Sequence, residues 1–64
     1  MRYLNRLRIR KAQELLASSD LRVYEVAEQT GFANVNYFIR VFNQHTQMSP
    51  NRYRMLYAAR RDDK

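Results

Sequence analysis

The stretch that decides the fold is VYEVAEQTGFANVNYFIRVFNQ, which occupies residues 23–44. Its first part places Val23, Val26 and Ala27 on one side of a short helix. Gly31 is the only glycine in the chain. Glycine just past a helix end takes the left-handed conformation without steric cost. We therefore expect a helix over residues 23–30 that ends at Gly31, with Phe32 entering the core.

A further helix is expected directly after this turn. Asn34 is a good N-cap for a helix over residues 35–45. The apolar residues whose helical spacing predicts a buried side are Phe38, Val41 and Phe42, with Val35 and Ile39 at one margin. A short helix, a tight glycine turn and a second helix are the parts of a helix-turn-helix, although many helical bundles share them.

The opposite side of the helix over residues 35–45 carries amide and guanidinium groups and no carboxylate. Its members are Asn36, Arg40, Asn43 and Gln44. Amides can bond adenine, and arginine can bond guanine, in the major groove. An ordinary solvated helix face mixes Glu with Lys, so the absence of acid favours DNA contact. A surface amide without a role is an equal alternative for Asn36 or Gln44 alone, whereas Arg40 lies centrally and favours base contact.

The rest of the chain predicts two more helices and an all-α fold of about four helices, a small homeodomain-like bundle. The helix over residues 3–17 has a predicted buried side of Leu4, Leu7, Ala12, Leu15 and Leu16, with Ile9 at its edge. Arg2, Arg6 and Arg10 line its other side, in water or beside phosphates. Asp20 or a neighbour can cap the helix that begins at Val23. Ser49-Pro50 is the start signal of a helix that runs to Tyr57. We expect one subdomain over residues 1–57 and a disordered tail over 58–64.

The chain is strongly basic. Its 12 Lys and Arg against 6 Asp and Glu give a formal charge of +6 and a pI near 10.3. Ten of the twelve are arginine, which prefers planar acceptors such as phosphate and guanine. Nucleic acid is favoured as the partner, with an acidic protein or a membrane surface as alternatives. No apolar run approaches the ~20 residues of a membrane span, and the N-terminus lacks the apolar core of a signal peptide. We expect no membrane partner and a cytoplasmic location at the bacterial nucleoid.

The sequence offers no catalytic, metal or cofactor site. It has no cysteine and a single histidine, His45, which more plausibly caps carbonyls at a helix end. The acids Glu14, Asp20, Glu25 and Glu28 are isolated and have capping or surface explanations. Catalysis needs a nucleophile with a base, or paired acids. We therefore expect a protein that is not an enzyme and binds no cofactor.

Several side chains around the polar stripe are candidates for the DNA backbone. Arg22 precedes a helix N-terminus, where free N–H groups favour phosphate. Tyr37 borders the polar stripe, where it either packs against the core or offers its hydroxyl to a phosphate. Arg52 and Arg54 flank Tyr53, which itself is expected in the core. The residues predicted to contact the DNA backbone are Arg22, Asn34, Tyr37, Gln44 and Arg54.

Separate motifs along the chain resemble those of AraC/XylS-type regulators, in the same order and at the same spacing. Tyr3-Leu4, Leu7-Arg8-Ile9, Ala12 and Leu15-Leu16 resemble the linker helix of that family. The stretch from Val23 to Phe42 resembles its "V.EVA…GF.…YF.R.F" segment. Met48-Ser49-Pro50 and Tyr53-Arg54 resemble its closing "SP..YR". The similarity spans about residues 3–54.

The resemblance implies a bacterial transcription regulator, often an activator, with two helix-turn-helix units joined by a long helix. It implies that this chain holds the joining helix and the second unit, as a piece of a larger protein. By the family pattern, base contacts fall on Val35, Asn36 and Arg40, with Asn43 added from the polar stripe. Contact with RNA polymerase is a further implied role, and any oligomerisation would use regions outside the chain.

Two points remain open from the sequence. The family has a glycine before its "SP" segment, where this chain has Thr46 and Gln47. A glutamine at positive φ costs on the order of 1 kcal/mol, so the turn before the last helix is in question. The competing function is a protein-interaction module, because Leu4, Leu7 and Ile9 are candidates for an exposed apolar strip that invites self-association.

Overall fold

Four α-helices make up the described part of the chain, as the sequence predicts. The structure is a computed structural model that describes residues 2–58, with side chains from Leu4 onward. The helices are α1 (Arg2–Ser18), α2 (Val23–Gln29), α3 (Val35–Thr46) and α4 (Pro50–Tyr57), and no strand occurs within the described residues. Of the tail expected over residues 58–64, only Ala58 is described, as the C-cap of α4, and the remainder lies outside the described residues.

The core forms where α1 crosses the other three helices. Its buried members are Ile9, Ala12, Leu16, Val26, Ala27, Phe32, Phe38, Val41 and Phe42. The aromatic rings form a continuous chain through it, with Phe38 lying 5.2 Å from Phe32 and 5.7 Å from Phe42, centroid to centroid. Tyr53 of α4 meets Phe42 edge-on at 5.6 Å, so the expectation that Tyr53 packs against the core is confirmed.

The predicted buried side of α1 is wrong in its first two turns. Ile9, expected at the edge, is 2% exposed, whereas Leu4 and Leu7 are 43% and 42% exposed. Ile9, Ala12 and Leu16 follow one another at i, i+3 and i+7, and that ridge faces the core. Leu7 lies two residues before Ile9, about 200° around the helix, and so points elsewhere.

The turn between α2 and α3 is built around Gly31, as expected. Gly31 has φ +93° and ends α2. Its N–H donates to the Glu28 carbonyl at 3.2 Å, and the N–H of Phe32 donates to the Ala27 carbonyl at 2.9 Å. These two bonds form a Schellman motif, and its apolar partner is Phe32, which is 3% exposed. The turn that ends α2 therefore also places Phe32 in the core.

Capping explains where the helices begin. Asn34 Oδ1 accepts from the Tyr37 N–H at 3.0 Å, and Ser49 Oγ accepts from the Arg52 N–H at 3.2 Å, so both predicted caps are confirmed. The N-cap of α2 is Arg22 rather than Asp20. The arginine side chain has no atom that could accept a hydrogen bond from a helix N–H. The carboxylate of Glu25 instead accepts a hydrogen bond from the backbone N–H of Arg22 at 2.7 Å.

Gln47 takes the conformation that glycine would have in its place. Its φ is +66° and its ψ is +23°, in the left-handed region, and its N–H donates to the Asn43 carbonyl at 2.8 Å. The turn is therefore kept rather than rebuilt, and Gln47 carries the strain. Ser49 and Pro50 still start α4 where the sequence predicts.

Gln47→Gly is expected to raise the free energy of unfolding by about 1 kcal/mol, because glycine removes the steric cost of the left-handed conformation. Urea denaturation followed by circular dichroism measures the change. The matched control is Gln44→Gly, inside α3, which should lower stability by about 1 kcal/mol. Equal destabilisation by both changes would contradict the strain assigned to Gln47.

Candidate nucleic-acid interface

The polar stripe predicted on α3 forms one continuous exposed surface. Phe38, Val41 and Phe42 are buried on the opposite side and anchor the helix in the core. The stripe residues Asn36, Arg40, Asn43 and Gln44 are all exposed. The helix contains no Asp or Glu along its 12 residues. The stripe therefore presents hydrogen-bonding side chains with no charge that would repel a phosphate.

One flank of the stripe is apolar. Val35 is half-buried and Ile39 is 36% exposed. Both line an open groove of about 420 Å³, which Arg22 and Tyr24 also line from α2. Tyr24 is 53% exposed. This flank combines aliphatic groups that can touch a thymine methyl with a cation at the N-terminus of α2.

The other flank of the stripe is a groove between α1, the turn and α3. It has a volume of about 500 Å³ and is lined by Arg8, Gly31, Phe32, Ala33, Asn34, Asn36, Tyr37 and Arg40. The Tyr37 ring lies 5.9 Å from that of Phe32, and its hydroxyl lies 3.4 Å from the side-chain amide of Asn5. Tyr37 is 49% exposed, so it packs sideways on the core while its hydroxyl stays at the surface. Both roles considered for Tyr37 are compatible with this position.

The predicted base-contact residues lie on one side of α3. Asn36, Arg40 and Asn43 share the exposed stripe, and Val35 borders it. Arg40 makes no hydrogen bond or ion pair with any of the described residues, so its guanidinium is available to a ligand. Two of the acids are engaged elsewhere: Glu14 lies 3.8 Å from Lys11, and Glu25 caps α2.

The predicted backbone-contact residues separate into two groups. Asn34, Tyr37 and Gln44 are exposed around α3, and Arg22 is exposed at the start of α2. Arg54 lies apart from them. Its Nε donates to the Leu16 carbonyl at 3.2 Å and its guanidinium also donates to the Leu21 carbonyl. Those carbonyls belong to the end of α1 and the loop after it, so Arg54 ties α4 to this region.

Sequence reasoning missed the position of Arg8. The residue sits on α1 beside Ile9, and its guanidinium carbon lies 5.6 Å from the centroid of the Phe32 ring. A Cβ on Gly31 would lie 3.0 Å from Arg8 Nε. Nothing in the local pattern of α1 links Arg8 to a turn more than 20 residues later, because the contact depends on how α1 crosses the bundle. Arg6 and Arg10, which the sequence singled out, are exposed on α1.

The described part of the chain shows neither a group of metal ligands nor a membrane-spanning helix. Among those residues, no group of three or more His, Asp or Glu side chains lies close enough to hold a metal ion. No described helix is both long enough and apolar enough to cross a membrane. The exposed polar stripe and its two flanking grooves form the candidate site.

These features define a helix-turn-helix domain, with α2 and α3 as its two helices and the exposed polar stripe on α3. A family model described as a helix-turn-helix domain matches residues 1–55. The chain belongs to the AraC-type helix-turn-helix family of transcription regulators. This is a family of DNA-binding regulators and not a family of enzymes.

Relatives and a solved structure agree with this assignment. The HTH-type transcriptional regulator YijO of Escherichia coli (strain K12) is 44% identical over 62 residues, 97% of this chain and 22% of that protein. The HTH-type transcriptional activator RhaR of Salmonella typhi is 46% identical over 54 residues, 84% of this chain and 19% of that protein. The chain thus spans about a fifth of the length of these relatives.

The structural match is the C-terminal domain of the two-component response regulator yesN from Fusobacterium nucleatum. It superposes with a TM-score of 0.81 and 47% sequence identity, over 83% of this chain and 52% of that chain. The all-α fold predicted from the sequence and the predicted family are both confirmed.

Arg54→Gln is expected to lower the free energy of unfolding by about 2 kcal/mol, because two carbonyls lose a charged donor. Arg52→Gln is the matched control. It removes the same charge from an exposed position on α4 and should change stability by less than about 0.5 kcal/mol. Urea denaturation of both variants measures the difference. Similar effects for the two would mean that the carbonyl contacts of Arg54 do not stabilise the fold.

Proposed function

We propose that this chain binds duplex DNA sequence-specifically by laying α3 in the major groove, as part of a transcription regulator. The observation that carries the proposal is the acid-free, exposed stripe on α3 with Arg40 at its centre. The Arg40 guanidinium has no acceptor among the described residues. The major groove admits an α-helix and shows a distinct set of donors and acceptors for each base pair. The formal charge of +6 supplies attraction to phosphate that does not depend on sequence.

We assign the contacts by chemistry. Arg40 bonds guanine O6 and N7, and Asn36 and Asn43 bond adenine. Val35 packs against a thymine methyl from the apolar flank. Around this centre, Arg22, Asn34, Tyr37 and Gln44 contact the DNA backbone. Arg54 is left out of this set because its guanidinium donates to the carbonyls of Leu16 and Leu21.

The proposal extends to the DNA-binding domain to which this chain would belong. We propose that residues 1–57 act as the linker helix and second helix-turn-helix unit of a DNA-binding domain. A DNA partner places the protein at the bacterial nucleoid in the cytoplasm. Contact with RNA polymerase, and oligomerisation through regions outside the chain, are proposed from family membership alone. One unit on its own is expected to bind weakly, because a single recognition helix makes part of the groove contacts.

Arg40→Ala is expected to cost about 1–3 kcal/mol on the preferred duplex and to relax preference at one base pair. Fluorescence anisotropy against a panel of duplexes with single base changes measures both effects. Arg10→Ala is the control, since it removes the same charge from the outer side of α1. An equal loss of affinity on every duplex for Arg40→Ala would show that Arg40 contacts the backbone instead of a base.

Asn34→Asp separates the capping role of Asn34 from its proposed contact. Aspartate caps a helix as well as asparagine and suits the positive helix N-terminus, so stability should stay within about 0.5 kcal/mol. A carboxylate beside phosphate should nevertheless weaken binding several-fold at low salt, as anisotropy would detect. Asn34→Ala, which removes the cap without adding charge, should instead lower stability by about 1 kcal/mol. Unchanged affinity for Asn34→Asp would place Asn34 away from the DNA backbone.

A further inference from the structure

Arg8 lies at the wall of the groove between α1 and α3, against the turn that precedes α3. Its guanidinium carbon is 5.6 Å from the Phe32 centroid, within the range of a cation–π contact. Gly31 has no side chain, and this leaves room for Arg8 Nε, which would lie 3.0 Å from a Cβ there. Arg8 is half-buried. The Phe32 ring and the turn at Gly31 therefore contact the guanidinium on its inner side.

The N–H groups of this guanidinium make no hydrogen bond with the residues that the structure describes. Guanidinium has five donors in a planar fork. Stacking on a ring occupies its face and leaves the edge N–H groups available. None of the described residues accepts a hydrogen bond from the Arg8 side chain, so its remaining donors face the open groove of about 500 Å³. A half-buried guanidinium with no acceptor among the described residues is suited to bind an anion whose oxygens accept its hydrogen bonds.

We propose that Arg8 binds a phosphate diester of the DNA backbone, on the flank of α3 opposite Arg22. This inference rests on the proposed function. Asn36 and Arg40 of the polar stripe line the same groove as Arg8, so a duplex that meets the stripe brings its backbone past this wall. Arg22 lines the other groove, beside Val35 and Ile39. The major groove is about 12 Å wide and has a backbone on each side, so the two arginines contact opposite strands and fix α3 between them.

The alternative is that Arg8 only covers Phe32 and supports the turn. The two roles differ in their response to salt. A phosphate contact releases counterions when the DNA binds. The log of the binding constant therefore falls linearly with the log of the salt concentration, and removing one contact makes that slope shallower by about 0.9. A packing role changes the folded fraction and leaves the slope of the folded protein unchanged.

The test compares Arg8→Gln, Arg8→Lys and the control Arg10→Gln in the full 64-residue chain. Each is titrated into a labelled duplex at several NaCl concentrations, at a temperature where circular dichroism shows that it is folded. Arg8→Gln should lower the slope by about 0.9, which is about an eightfold loss at 0.1 M salt if the lines meet at 1 M. Arg8→Lys should keep the wild-type slope. Arg10→Gln, with the same loss of charge, should change the slope by less than half as much.

The outcomes separate the two proposals. A wild-type slope for Arg8→Gln, with wild-type binding intact, would overturn the role of Arg8 and leave the proposed function standing. An equal loss of slope for Arg8→Gln and Arg10→Gln would also overturn it, since net charge would then explain both. If Arg8→Gln does not fold, Arg8→Met takes its place, because methionine keeps a long apolar side chain against Phe32 and also removes the charge. A wild-type slope in that folded variant rejects the phosphate contact. Failure of the unaltered, folded chain to bind duplex in any salt would reject the proposed function together with this inference.

Discussion

The position of Phe32 sets the geometry on which the rest of the structure depends. Its ring is 3% exposed and meets Phe38 at 5.2 Å, Tyr37 at 5.9 Å and the Arg8 guanidinium at 5.6 Å. The same residue closes the Schellman motif that ends α2. One aromatic side chain therefore joins α1, the turn and α3. Since a domain of this size is stable by only about 3–10 kcal/mol, the loss of such a ring would threaten the whole fold.

The anchoring of α3 has a functional consequence. A recognition helix must present its polar stripe at a fixed angle, because a bidentate contact to a base tolerates little rotation. Phe38 and Phe42 fix the rotation of α3 about its own axis, and the caps at Asn34 and Gln47 fix its ends. Gln47 holds a left-handed conformation there at some steric cost. The chain thus accepts local strain to keep α4 packed behind α3.

Local chemistry explains which features could be predicted from the sequence. Gly31, Asn34 and Ser49-Pro50 act within a few residues of themselves, so their turn and caps could be read directly. The stripe on α3 follows from helical periodicity alone. The burial of Ile9 and the contacts of Arg8 and Arg54 could not be predicted, since each depends on where α1 crosses the bundle. The charge of Arg54 is visible in the sequence and predicts contact with the DNA backbone, whereas its bonds to the carbonyls of Leu16 and Leu21 are visible only in the fold.

The arginines of this chain show that charge by itself does not define a nucleic-acid contact. The guanidinium of Arg54 is occupied by two internal carbonyls, and that of Arg8 is held on one face by a ring with its edge left open. Arg40 has neither kind of partner among the described residues. Arg54 therefore uses part of its donors inside the protein, whereas Arg8 and Arg40 use none of theirs on the described residues. An exposed arginine with unused donors gains most from phosphate or guanine, because it gives up only water to bind them. Interior hydrogen bonding therefore sorts these basic residues into those that hold the fold together and those suited to DNA.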